Sequence, residues 1–153
     1  MDPITHVVTT RKLIGKEKRT QAAALAPDAP FYLCYPAWVT INGRLKEAVR
    51  SGEWPDPPRW LWLLHNIFHS IPVVLVVGLV WRLVKGEWPR KTLGAWLLHV
   101  VIDVPTHSRD PWGPRILWPL SDFAMDGWSW ADALAALIAK RYKGEQSHES
   151  ELS

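Results

Sequence analysis

Residues 60–81 read WLWLLHNIFHSIPVVLVVGLVW and contain no Asp, Glu, Lys or Arg, while Arg59 and Arg82 stand at the two ends. At about 1.5 Å per residue, a helix of this length rises roughly 33 Å, enough to cross a bilayer. Yet His65, Asn66, His69 and Pro72 interrupt the apolar run. A helix facing lipid on all sides does not carry such groups. Pro72 removes the donor that the Phe68 carbonyl needs, so the pattern predicts a bend just after His69. By length the segment suits either a membrane span or a helix buried in the protein's own core.

A second apolar run, 92–104, predicts another helix, ended at Val104 because Pro105 disfavours helical backbone in the residue before it. Asp2 followed by Pro3 marks a helix start, with an N-cap and then proline in the first turn. That helix should end near Gly15. QAAALAPDAPFYL is apolar and broken by Pro27 and Pro30, with Asp28 held between them. PAWVTINGRLKEAVRSG predicts a helix ending at Gly52 and weakened by Gly43. Residues 105–128, rich in Pro and Trp, are long for a plain connection and are expected to be functional or to hold a short element. Ser129 and Asp132 resemble a capping box for a last helix ending near Gly144. No strand pattern is present. The expectation is an all-α fold, a compact bundle of about five helices with a long loop before the last. Residues 1–144 form its single domain, followed by a polar tail over 145–153.

Composition narrows the classes. The 153 residues are 48% hydrophobic and carry eleven tryptophans. Trp suits sites that are apolar at one end and wet at the other, the membrane interface among them. The net charge is only +3, and the basic residues sit in short clusters beside apolar segments. That placement fits helix C-termini and juxtamembrane flanks alike. It gives nucleic-acid binding little support, since no basic block interleaves with aromatics. Cys34 is the single cysteine, which excludes an intrachain disulfide and a zinc-knuckle spacing. The start MDPITHVVTT has neither the basic nor the apolar region of a cleavable signal.

Five of the six histidines lie in or beside apolar segments: His6, His65, His69, His99 and His107. His65 and His69 are spaced i, i+4, as are His99 and Asp103, so each pair shares a helix face. His107 lies beyond Pro105 and is expected to swing back from the loop. Asp28 is the other carboxylate in apolar surroundings, whereas His148 belongs to the polar tail. A buried carboxylate must be paired, coordinated or neutralised. A divalent ion does this for several groups at once, and His nitrogen with Asp oxygen suits Zn²⁺, Mn²⁺ or Fe. Pairs at i, i+4 on separate helices can converge across a bundle core. The other reading is a set of core histidines satisfied by hydrogen bonds. Ser70 beside His69 lacks the Gly-rich turn of a nucleophile elbow, and Asp122 and Asp126 suit caps of a turn or of the last helix.

The segments MDPITH, APDAPF, HNIFHS and LLHVVIDVPTHS with ILWPLSDF together resemble the YdjM-like family of membrane-associated metal-dependent hydrolases. That family is distantly similar to the all-helical superfamily of zinc-dependent phospholipase C and single-strand nucleases. The resemblance covers residues 1 to about 130, and its most specific part is H-x-x-x-D-x-x-T-H followed by L-W-P. It implies metal ligands at His6, Asp28, His69, His99, Asp103 and His107, with Asp103 also serving catalysis as a bridge between ions. The motif around His69 is one residue shorter than the family's H-R-G-x-T-H-S, which leaves His65 at the edge of the set. No later H-x-x-x-E/D pair is present, so one or two ions are implied, zinc first. The implied substrate is a small or lipid-like phosphoester at an inner or cytoplasmic membrane. The alternative is a non-catalytic membrane-associated or scaffold protein, or a cytoplasmic one, with a structural His/Asp cluster.

Overall fold

The computed structural model describes residues 3–109 and 113–128. Asp2, the helix expected over 129–144 and the tail with His148 lie outside the described residues. Seven helices and no strand occur among those described: α1 (Pro3–Leu13), α2 (Lys18–Leu25), α3 (Ala29–Ile41), α4 (Leu45–Ser51), α5 (Arg59–Phe68), α6 (Ile71–Lys85) and α7 (Arg90–Thr106).

The all-α class holds, but the chain is cut more finely than about five helices. Two of the extra pieces come from breaks in expected helices. The helix expected up to Gly52 divides at Asn42 and Gly43, where Gly43 takes φ 69°. That left-handed backbone is open to glycine without a Cβ penalty. Gly52 closes α4 in the same conformation. The 60–81 segment divides at His69 and Ser70, and α5 and α6 diverge by 64°. Ser70 starts the new helix by accepting the Val73 N–H at 3.2 Å, with Pro72 in its first turn. The Phe68 carbonyl, which Pro72 leaves without a helical donor, receives the Trp96 indole N–H at 2.6 Å. No single described helix is therefore long and apolar enough to cross a membrane. A third addition is α2, which forms over KRTQAAAL because Pro27 lies beyond its end.

α7 corrects a boundary in the other direction. It continues through Pro105 to Thr106 instead of ending at Val104. Pro105 sits in the last turn, where its missing N–H costs only a bond to the Val101 carbonyl. Val101 is 55% exposed, so water can take that bond.

Packing sets the site. α2 and α7 form the closest helix pair, with α1 across them and α6 on α7. Their seam is made of Ala23, Ala24 and Ala95, whose short side chains let the two backbones approach. A second cluster, Tyr35, Val39 and Leu61, joins α3 to α5 and is covered by Phe31, Trp38 and Leu45. The long loop is tied to both neighbouring helices. The Ile71 N–H donates to the Ile116 carbonyl at 2.9 Å, and the Ser70 hydroxyl donates to that of Trp118. Gly127 and Trp128 donate to the carbonyls of His107 and Pro105 at 2.9 Å each. Asp126 accepts the Arg109 N–H at 2.9 Å, and Asp122 pairs with Arg115.

Candidate metal centre

Each polar group in the core arrives by a local rule. Ala95 and His99 are one turn apart on α7, so the alanine seam that draws α2 against α7 also carries the His99 ring to α2. Its Nδ1–H donates to the Ala24 carbonyl at 2.7 Å. His69, at the C-cap of α5, donates Nδ1–H to the His65 carbonyl at 2.9 Å. With Nδ1 committed as donor, each ring points an Nε2 inward, and these two nitrogens lie 3.3 Å apart. His6 reaches the same place from α1 and stacks on His99 at 3.7 Å between ring centres. Asp28 occupies the N-cap position of α3 but caps nothing with its side chain. It turns inward instead, placing Oδ1 3.4 Å from His69 Nε2 and 3.6 Å from His99 Nε2.

Asp103 is the hub. Its Oδ1 lies 3.1 Å from His6 Nε2, and its Oδ2 lies 3.0 Å from His99 Nε2 and 3.4 Å from His69 Nε2. His6, His69, His99 and Asp103 are each only 1% exposed. His107 is the C-cap of α7. Pro105 does not turn the chain away there: His107 stays one turn below Asp103, with Nδ1 3.6 Å from Oδ1 and 3.2 Å from the Asp103 carbonyl. His65 is a neighbour of a different kind. Its ring stacks on His69 at 4.0 Å and meets the edges of Phe31 and Trp62. It forms no ion pair with a described carboxylate, and what it gives the cluster is its carbonyl. Its buried Nε2 has no hydrogen bond.

The electrostatics follow from burial opposed by pairing. Burial pushes the Asp103 carboxyl up, but hydrogen bonds from His6, His69 and His99 outweigh it and hold the group far below the usual carboxylate range. Asp28 is depressed in the same way by His69 and His99. Burial would lower His99, yet Asp103 and Asp28 raise it to about 9. His69 is raised by the same two carboxylates against its burial. His65 is pushed well below its ordinary value, chiefly by burial and then by His69. Burial also lowers His107.

The donor set fits a metal ion. His6, Asp28, His99 and Asp103 each offer one ligand atom within 4.8 Å of all the others, and His69 adjoins three of them. The described carboxylate–imidazole separations of 3.0–3.6 Å bracket the edge of a tetrahedron with bonds of about 2.05 Å, which is roughly 3.3 Å. Two facing Nε2 lone pairs beside two carboxylates repel unless a cation or protons lie among them. His6 Nδ1 is buried without a hydrogen bond, while its Nε2 faces Asp103 Oδ1 at 3.1 Å, turned toward the other donors. The carbonyls of Ala24 and His65 act as the outer partners that fix the tautomer of a ligating histidine. Sequence reasoning missed them, because a carbonyl is present at every residue. Comparison with protein-family models, with curated proteins and with solved structures finds no match.

Proposed function

We propose that this protein is a metal-dependent hydrolase acting on a phosphoester. One or two divalent ions, zinc first and manganese or iron as alternatives, would be held by His6, Asp28, His69, His99 and Asp103. The observation that carries this reading is the pair of inward Nε2 atoms, each locked by a backbone carbonyl, meeting the buried Asp103 carboxylate and the half-buried one of Asp28. The resemblance of the same segments to the YdjM-like family agrees with it. When bound, a divalent ion supplies Lewis acidity toward a phosphoryl oxygen and a water molecule. The chain's own contribution is to hold the ligands without reorganisation, through the Ala24 and His65 carbonyls, and to keep Asp28 and Asp103 ionised at neutral pH. His107, at 23% side-chain exposure, and Asp28, at 15%, are the members nearest to solvent, and there a substrate meets the centre. Membrane association belongs to the same reading: α6 exposes Leu75, Val76, Leu79, Val80, Leu83 and Val84 and ends on Arg82 and Lys85.

The depth of burial favours one alternative, a structural metal. Catalytic ions keep an open coordination position, and structural ones are enclosed. Two measurements separate the readings. Purified protein is expected to carry stoichiometric metal, and a His99→Ala, Asp103→Ala double variant to lose it. The parent is then expected to hydrolyse bis(p-nitrophenyl) phosphate with added Zn²⁺ or Mn²⁺. A parent unable to bind metal sinks both readings, while a loaded parent that turns over no phosphoester leaves the structural one standing.

A further inference from the structure

A groove of about 700 Å³ runs between α2, the end of α6 and the start of α7. This lies within the usual range of about 300–1,000 Å³ for small-molecule sites. None of its lining residues belongs to the His/Asp cluster, so it is a separate site and does not depend on the hydrolase reading. Its walls are Trp81, Trp88 and Trp96, and its floor is Ala22, Ala23 and Ala26 of α2. The alanine methyl groups leave the space that larger side chains would fill. Trp81 and Trp88 are 41% and 45% exposed, an unusual cost for such large rings unless something else covers them.

The rim is cationic. Arg19, Arg90 and Lys91 line it against one carboxylate, Glu87. Lys91 is ion-paired with Glu17, whereas neither Arg19 nor Arg90 forms an ion pair among the described residues. A nucleobase would need hydrogen-bonding partners for its edge. Apart from the cations of the rim, the lining offers little beyond Thr92 and Glu87, and the Trp96 N–H is already given to the Phe68 carbonyl.

We propose that the groove binds one molecule of an anionic amphiphile. Its aliphatic chain lies on the alanine floor between the tryptophans, and its phosphate or carboxylate head lies at Arg19 and Arg90. The test is calorimetric titration of the full chain with monomeric dodecyl phosphate, decyl phosphate, dodecanoate and dodecyltrimethylammonium. One molecule is expected per chain. Each methylene is worth about fourfold in Kd, so dodecyl phosphate should bind about 15-fold tighter than decyl phosphate. Binding of either anion supports the proposal, and the tighter one identifies the head. Ala22→Trp with Ala26→Phe fills the groove and should weaken binding more than tenfold. Arg19→Glu with Arg90→Glu changes only exposed side chains and should weaken the anions at least tenfold. The proposal is overturned by absence of saturable binding, by the ammonium amphiphile binding as tightly as the phosphate, by Arg variants that bind normally, or by uptake on anionic vesicles alone.

Discussion

Loading the centre with Zn²⁺ is expected to release protons, and the structure sets the amount. The Nδ1 of His99 is committed to the Ala24 carbonyl, so the proton that titrates sits on Nε2, between Asp28 and Asp103. These carboxylates raise it to about 9. A ligating imidazole must be neutral. At pH 7, about two units lower, all but roughly one molecule in a hundred carries that proton. Apparent affinity at pH 7 is therefore about 100-fold below its value well above pH 9, or about 2.7 kcal/mol. It should improve about tenfold per pH unit between 7 and 9. His69, raised by the same carboxylates, adds a second proton, so the slope falls between one and two. Asp28 and Asp103 stay ionised over this range and contribute nothing to it. Competition calorimetry against a chelator, in buffers of different ionisation enthalpy at pH 7, reads the protons directly. One to two protons per site are expected. Buffer-independent heats together with a flat affinity from about pH 6.5 to 8.5 would refute the ligand assignment of His99.

The same group makes the metal-free protein sensitive to alkali. Its folded pKa is raised from 6.5 to about 9. The stabilisation, about 3 kcal/mol, is therefore complete below pH 6.5 and lost as pH rises through 9. Urea unfolding at pH 6 and pH 10 should show that loss, and His99→Gln should reduce the difference, leaving only the part that belongs to His69. Trp96→Phe removes the donor to the Phe68 carbonyl at the α5–α6 bend. It should cost about 1–3 kcal/mol in urea unfolding, and an unchanged midpoint would mean that water serves this carbonyl equally well. Gly127→Ala would place a Cβ 2.5 Å from the Val104 carbonyl and 2.7 Å from that of His107. The loop must lift off the end of α7, at a cost of about 1–3 kcal/mol. A variant as stable as the parent would contradict that close approach.

Much of the site was legible because its chemistry runs against its surroundings. His6, Asp28, His69, His99 and Asp103 stand out as polar groups in apolar segments, and these are the residues the fold gathers. His65 shows the limit of this reasoning. By spacing it is as good a ligand as His69, yet its ring packs between Phe31, Trp62 and His69, and its backbone does the orienting. One helical turn is about 5.4 Å, so the register of a whole helix decides which of two same-face histidines reaches a centre. His107 shows the converse. Pro105 suggested a chain leaving the helix, but a proline in the last turn costs little where the orphaned carbonyl faces water.

The sequence by itself determined the helical class, the bend at His69 and Pro72, the cap at Gly52 and the i, i+4 pairing of His99 with Asp103. All of these are written within a few residues. Only the tertiary structure decided that Asp28 abandons its capping position for the cluster, and that the Ala24 carbonyl, 75 residues away in sequence with four helices between, fixes the His99 tautomer. It also decided that the apolar stretch 60–81 is two helices meeting at 64°. The physical reason is common to these cases. Periodicity and capping are local, whereas the approach of α2 to α7 is set by small side chains distant in sequence. The backbone groups that this approach brings into play carry no residue identity to read.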